Sequence, residues 1–282
     1  MKLRKASAAA AAAVALALTV TACGSGKKDD SAGGSTGGGD KITIGIKIDQ
    51  PGIGLKTPDG KYVGFDVDVA KYVAKELGYE EGDIVFKETK SADRETAIER
   101  GDVKFIAASY SINDKRLAKV DFAGPYLLAH QDILVRADDN TITKPEDLNK
   151  KKLCSVTGST SATNVKEKLA PQAQLQEFGG YSECLTGLEN KVVDALTTDD
   201  SILAGYAAQE AFKGKFKLAG FKMSNENYGI GLKKGDAELK DKINKALEKM
   251  VSDGSWQKAV DAHFGPAGYK SEPAPKIGNI VK

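Results

Sequence analysis

Three short polar clusters hold the residues whose types and spacing suit chemistry in this 282-residue chain. In "AASYSINDKR", Ser109 and Ser111 follow the apolar end of a strand and Arg116 comes shortly after. Two hydroxyls and a planar guanidinium can hold a carboxylate in a fixed orientation. In "TGSTSA", a strand ends at Gly158 and a helix begins near Ser159 and Thr160, where free N–H groups beside hydroxyls favour an anion. A plain helix cap would use the same residues, and no Gly-Lys-Ser/Thr follows to make a phosphate loop. In "LTTDDS", Asp199 and Asp200 sit where a strand gives way to a helix, so that one can cap the helix and the other face a cation. The combined inventory, donors for a carboxylate and an acceptor for an ammonium, fits the backbone of a free amino acid.

A fourth stretch, "SADRETAIERG", spells a short helix with Ser91 as N-cap and Gly101 just past its end. Arg94 lies one turn before Ile98 and shares the inward face, where a guanidinium needs an anionic partner. Taken alone, the stretch also fits a surface arginine whose stem covers apolar neighbours while its head stays in water. Metal chemistry has little to draw on, because His130 and His263 are the only histidines and neither stands at a ligand spacing from a cysteine. No nucleophile elbow and no general acid stand out, so the chain reads as a binder and not an enzyme. A formal net charge of +2 with mixed signs gives no electrostatic case for nucleic acid.

The elements that must position these clusters alternate short apolar strands with amphipathic helices, the pattern of α/β layers. "KITIGIKI" and "DIVFKE" are strands on either side of the helix "GFDVDVAKYVAKELGY", in which Phe65, Val69, Val73 and Leu77 recur at four-residue spacing and Asp66 and Asp68 occupy the first turn. "VKFIAASY" is a further strand, closing one α/β unit near "FAGPYLL". A second unit contains the strands within "KLCSVTG", "QLQEF", "VVDALTTD" and "FKLAG", and "NYGIGLKKG" leaves it as a strand. The helices "ELKDKINKALEKMVSDG" and "SWQKAVDAHF" follow, and two lobes result, with the C-terminal part returning to the first.

The first forty residues stand apart. Lys2, Arg4 and Lys5 precede an apolar run too short for a comfortable bilayer span, which reads as a signal peptide. "VTAC" puts small residues before Cys23, as in the lipobox of bacterial lipoproteins, which it resembles. The resemblance implies cleavage there, acylation of Cys23, and a protein exported and lipid-anchored to the outer face of the cell membrane. Residues 24–40, rich in Gly and Ser, read as a flexible tether. The remaining cysteines, Cys154 and Cys184, form an even pair in an exported chain, which favours a disulfide over two buried free thiols.

At the residues of these clusters the chain resembles the polar amino-acid family of extracellular solute-binding proteins that serve ATP-driven importers, and within it the glutamate-binding lipoproteins of actinobacteria. "GFDVDVAKYVAKELG", "SYSINDKR", "DFAGPYLL", "CSVTGSTSA", "YSEC", "VDALTTDDSILAGY" and "YGIGLKKG" carry the likeness in order. It implies a two-lobed clamshell of the type II periplasmic-binding-protein class, each lobe a mixed sheet flanked by helices, with crossover strands near "AHQDILV" and "SNENYGIGL" as hinge. The lobes would be residues 41–132 and 133–226, with 227–268 returning to the first and 269–282 a C-terminal tail. It further implies that Arg116 takes a ligand α-carboxylate with Ser109, Ser111, Ser159 and Thr160, and that Asp199 takes the α-ammonium. Arg94 would then face the cleft and, with Lys47, meet a side-chain carboxylate. The same likeness strengthens the case for pairing Cys154 with Cys184. The implied partners are a small amino acid and the transmembrane subunits of a permease, with no cofactor and no metal, and the protein acting as a monomer.

Overall fold

A computed structural model describes residues 41–282. The residues read as a signal peptide and a tether, with Cys23 between them, lie outside the described residues. Among the described residues no helix is long and apolar enough to cross a membrane.

The first lobe opens on β1 (Ile42–Ile46). β2 (Asp49–Gln50), β3 (Gly54–Lys56) and β4 (Tyr62–Val63) then make a small antiparallel sheet. Helix α1 (Phe65–Glu76) buries Phe65, Val69 and Val73, as their spacing requires. β5 (Ile84–Glu88), α2 (Arg94–Glu99), β6 (Phe105–Ile106) and α3 (Asp114–Leu117) complete the unit. β1 runs parallel to both β5 and β6. Helix α2 starts later than its sequence suggests: Asp93, not Ser91, is the N-cap residue, and the Ser91 hydroxyl is taken by Lys47. β6 is also shorter than "VKFIAASY", because the chain turns at Ser109 with φ 44° and its N–H donates to the Asp66 carboxylate, which ends regular pairing.

The 16-residue β7 (Asp121–Arg136) passes from one lobe into the other. As far as His130 it pairs with a strand of the first lobe; from Gln131 it pairs with the second. The second lobe contains β8 (Lys152–Val156), α4 (Thr160–Asn164), β9 (Gln174–Phe178) and α5 (Tyr181–Glu189). It continues with β10 (Ala195–Asp199), α6 (Asp200–Ala207) and β11 (Phe216–Leu218). Its sheet is mixed: β8 is parallel to β9 and β10, whereas β10 and β11 are antiparallel to β7. β12 (Asn225–Leu232) carries the chain back, pairing antiparallel with β7 and β6. Helices α7 (Ala237–Ser252) and α8 (Ser255–Phe264) then pack on the first lobe, burying Leu239, Ile243, Leu247 and Met250, and Trp256 and Phe264.

This is a two-lobed α/β fold in which β7 and β12 are the long connections between mixed sheets. Cys154 in β8 and Cys184 in α5 are joined by a disulfide, their Cα atoms 5.5 Å apart, so the bond fastens a helix to its own sheet within the second lobe.

Candidate functional site

The two lobes meet along a seam. From the first, the Asp49 carboxylate accepts from the N–H of Tyr181 at 2.9 Å, at the start of α5, and the Tyr206 hydroxyl of α6 donates to the Asp49 carbonyl. Arg116 spans the same seam: Nη1 donates to the Ser111 carbonyl at 2.7 Å in its own lobe and Nη2 to the Gly158 carbonyl at 3.0 Å in the other. Two glycines allow this approach. A Cβ on Gly158, which also has φ +78°, would stand 2.8 Å from the Ala92 Cα. A Cβ on Gly205, in mid-helix, would run into the Pro51 carbonyl oxygen.

A cavity of about 500 Å³ opens between the lobes, with Ser91, Glu95 and Arg116 on one wall and Gly158, Ser159 and Thr160 on the other. Of the sequence-derived candidates it gathers Arg116, Ser159 and Thr160, whereas Lys47, Arg94, Ser109, Ser111 and Asp199 are buried outside its lining.

Arg94 is 2 % exposed, which rules out the reading of a surface arginine with a hydrated head. Its Nη1 donates to the carbonyls of Ala108 and Ser109 at 3.0 and 3.2 Å, and the guanidinium lies over the Tyr110 ring, 4.1 Å from its centroid. Lys47, just past the end of β1, is 5 % exposed and donates to the Ser91 hydroxyl at 2.8 Å. Burial first, and then the charge of Arg94, lower its pKa to about 7. Burial and then Arg116 lower that of Arg94 to about 10. Arg116, 6 % exposed, has Glu95 at 3.5 Å from its Nε. Three buried cations thus act on one another, a costly arrangement that an incoming anion would relieve.

Asp199 ends β10 at 4 % exposure. Its Oδ2 accepts from the Tyr228 hydroxyl at 2.5 Å, and Oδ1 is buried without a partner. Burial, followed by the charge of Glu226, pushes its pKa well above the usual carboxylate range. A carboxylate in that condition favours a cation beside its open oxygen. Asp200 has different work: Oδ1 accepts from the N–H groups of His130 and Ser201 at 3.0 and 2.8 Å.

The hydroxyls are largely engaged within the protein. Ser159 caps α4, accepting from the Ala162 N–H at 3.0 Å, as the plain-cap alternative had it. Thr160 donates to Glu226 at 2.8 Å, and Ser109 donates to Gln50 Oε1 at 3.0 Å. Ser111 is held through its backbone instead, pairing antiparallel with Tyr228 and accepting from Arg116 at its carbonyl.

Sequence reasoning missed the second layer. Asp66, read there as a first-turn acid complementing the helix dipole, is fully buried and accepts from the Ser109 N–H at 2.6 Å and the Tyr126 hydroxyl at 2.8 Å, with its pKa pushed up by burial to about 6. The signal was present: Asp66 precedes the buried Val69 and Ala70 by three and four residues, so it lies on the inward face of α1. Glu226 and Gln50 left no such trace, since the site hydroxyls that donate to them, Thr160 and Ser109, are distant in sequence.

Residues 42–266 match the family model of the bacterial extracellular solute-binding proteins, family 3. A glutamate-binding protein, GluB, of Corynebacterium efficiens is 49 % identical over 234 residues, covering 79 % of each chain. The ABC transporter glutamine-binding protein GlnH of Bacillus subtilis is 41 % identical over 219 residues, covering 77 % of this chain and 78 % of its own. Among solved structures, an ancestral arginine-binding protein bound to arginine superposes with a TM-score of 0.74 at 36 % identity, over 80 % of this chain and 98 % of its own.

Proposed function

Since the chain belongs to the bacterial extracellular solute-binding proteins, family 3, we propose that it captures an acidic amino acid, glutamate or aspartate, between its lobes and delivers it to the permease of an ABC importer. The observation that carries this reading is the buried trio of Lys47, Arg94 and Arg116, set against Asp199 with its one open oxygen. An acidic amino acid matches that set with two carboxylates and one ammonium.

In the proposed complex Arg116 pairs with the α-carboxylate, with Ser109, Ser111, Ser159 and Thr160 around it. Asp199 accepts from the α-ammonium, and Arg94 and Lys47 meet the side-chain carboxylate. Lobe contact excludes water and strengthens each pairing. Micromolar affinity needs only about −8 kcal/mol, which a few charge-assisted hydrogen bonds of ~1.5–3 kcal/mol each can supply. The chemistry is capture alone, with no bond made or broken. The protein works as a monomer, exported and held at the outer face of the membrane through Cys23.

Glutamine is the second reading, favoured by the relative named for binding it. Calorimetry on two variants separates the two. Arg94→Ala is expected to weaken glutamate by roughly 30- to 100-fold, the worth of a charge-assisted pair, and glutamine much less. Arg116→Ala should weaken both alike. Equal losses for the two ligands in Arg94→Ala would reject the assignment to acidic ligands.

A further inference from the structure

The family match ends at residue 266, and the chain beyond it does not hang free. After α8, Tyr269 packs edge-on against Phe264, and its hydroxyl donates to Asp200 Oδ1 at 2.9 Å, reaching the second lobe. Glu272 then lies 3.2 Å from His130 Nε2, on β7 where that strand changes lobes, and accepts from Lys222 Nζ at 3.1 Å on the approach to β12. Ala274 and Ile277 pack on the hydrophobic core beside Tyr126, Leu247 and Trp256, and the Gly278 N–H donates to the Gly124 carbonyl of β7 at 3.0 Å. Finally the segment docks on β12 itself. The Val281 N–H donates to Asn227 Oδ1 at 3.0 Å, Asn227 Nδ2 returns a bond to the Val281 carbonyl at 2.9 Å, and Asn225 Nδ2 donates to that of Lys282 at 2.9 Å.

Residues 269–282 therefore touch both crossover strands and both lobes. We propose that this segment is a strap that holds the lobes in the arrangement seen here, and that Tyr269 is a positioning residue for the ligand site. Tyr269 shares Asp200 Oδ1 with the N–H groups of His130 and Ser201, so it supports from one side the corner at which Asp199 presents its open oxygen. Hinge opening moves Asp200 and Lys222 relative to the first lobe, and it must stretch or break the bonds to Tyr269 and Glu272. Closure recovers them. The strap thus favours the closed arrangement and slows ligand escape, an inference that rests on the proposed amino-acid site for its second half only.

The test compares the wild-type protein with Tyr269→Phe/Glu272→Gln, a pair of nearly isosteric changes that keeps the chain length, and with a chain ending at Gly268. Small-angle scattering and hydrogen exchange of β7 and β12 are measured without ligand, and L-glutamate dissociation is followed by stopped flow. The double variant is expected to show a larger radius of gyration or faster exchange at residues 128–133 and 225–228, with L-glutamate leaving roughly five- to tenfold faster. Truncation should exaggerate each change. Unaltered scattering, exchange and dissociation in the double variant would overturn the proposal, and so would a loss of melting temperature alone. Scattering and exchange need no ligand, so failure of the wild-type protein to bind any amino acid would count against the proposed function and leave the hinge comparison decisive for the strap.

Discussion

Burial makes the charge on Lys47 easy to remove. Its pKa lies at about 7, against an ordinary lysine value of 10.5. Between those values the unfolded chain holds more protons at this residue than the folded one does, so its contribution to stability improves as pH rises. Binding runs the other way. In the proposed complex a ligand carboxylate next to Lys47 would raise its pKa, the complex would take up a proton, and affinity should fall as pH climbs above about 7, by at most roughly tenfold per unit for one proton. Calorimetry from pH 6 to 9 should show this decline for L-glutamate, and Lys47→Met should flatten it. A decline that survives Lys47→Met would assign the proton elsewhere. Arg94 was the ambiguous residue of the sequence, because helical spacing placed it inward while its type favoured the surface. The ring of Tyr110 and the carbonyls of Ala108 and Ser109, 14 to 16 residues away, resolve the ambiguity, and no local rule supplies them.

At the scale of elements, closure depends on how near α6 can come to the first lobe. Gly205 has helical backbone, so Gly205→Ala should raise helix propensity by about 1 kcal/mol while its Cβ meets the Pro51 carbonyl oxygen. The expected outcome is ligand affinity weakened at least tenfold, with the gain in helix propensity offset in the melting temperature by lost seam contacts; unchanged affinity would mean that the seam is not closed in the complex. The disulfide acts within one lobe. Replacing Cys154 and Cys184 by serine opens a loop of sequence separation 30 and should cost about 3–4 kcal/mol in chemical unfolding while leaving affinity nearly intact. A large loss of affinity would show that the bond also shapes the cleft. Strands and helices with clear periodicity were legible in the sequence, "QLQEF" matching β9 residue for residue and the spacing of α1 and α7 giving their buried faces. The failures share one cause. Ser91 lost its capping role to Lys47, and β6 was cut short by the bond between Ser109 and Asp66, both contacts that span more than forty residues.

At the scale of the molecule, β7 and β12 join lobes that each hold part of the proposed recognition set: the cations Lys47, Arg94 and Arg116 in the first, and Asp199 in the second. The type of each side chain could be read in the sequence, but not its occupancy. Thr160 and Ser109 look like free hydroxyls there and Ser159 like either a free hydroxyl or a cap, yet in the fold each is tied to a neighbour. In the proposed complex, recognition accordingly falls on the charged groups more than on the hydroxyls. The most direct test is a paired calorimetric titration of the wild-type protein with L-glutamate and L-glutamine, two ligands that differ by one side-chain carboxylate. The buried cations predict glutamate tighter by at least tenfold; glutamine equal or tighter would contradict them.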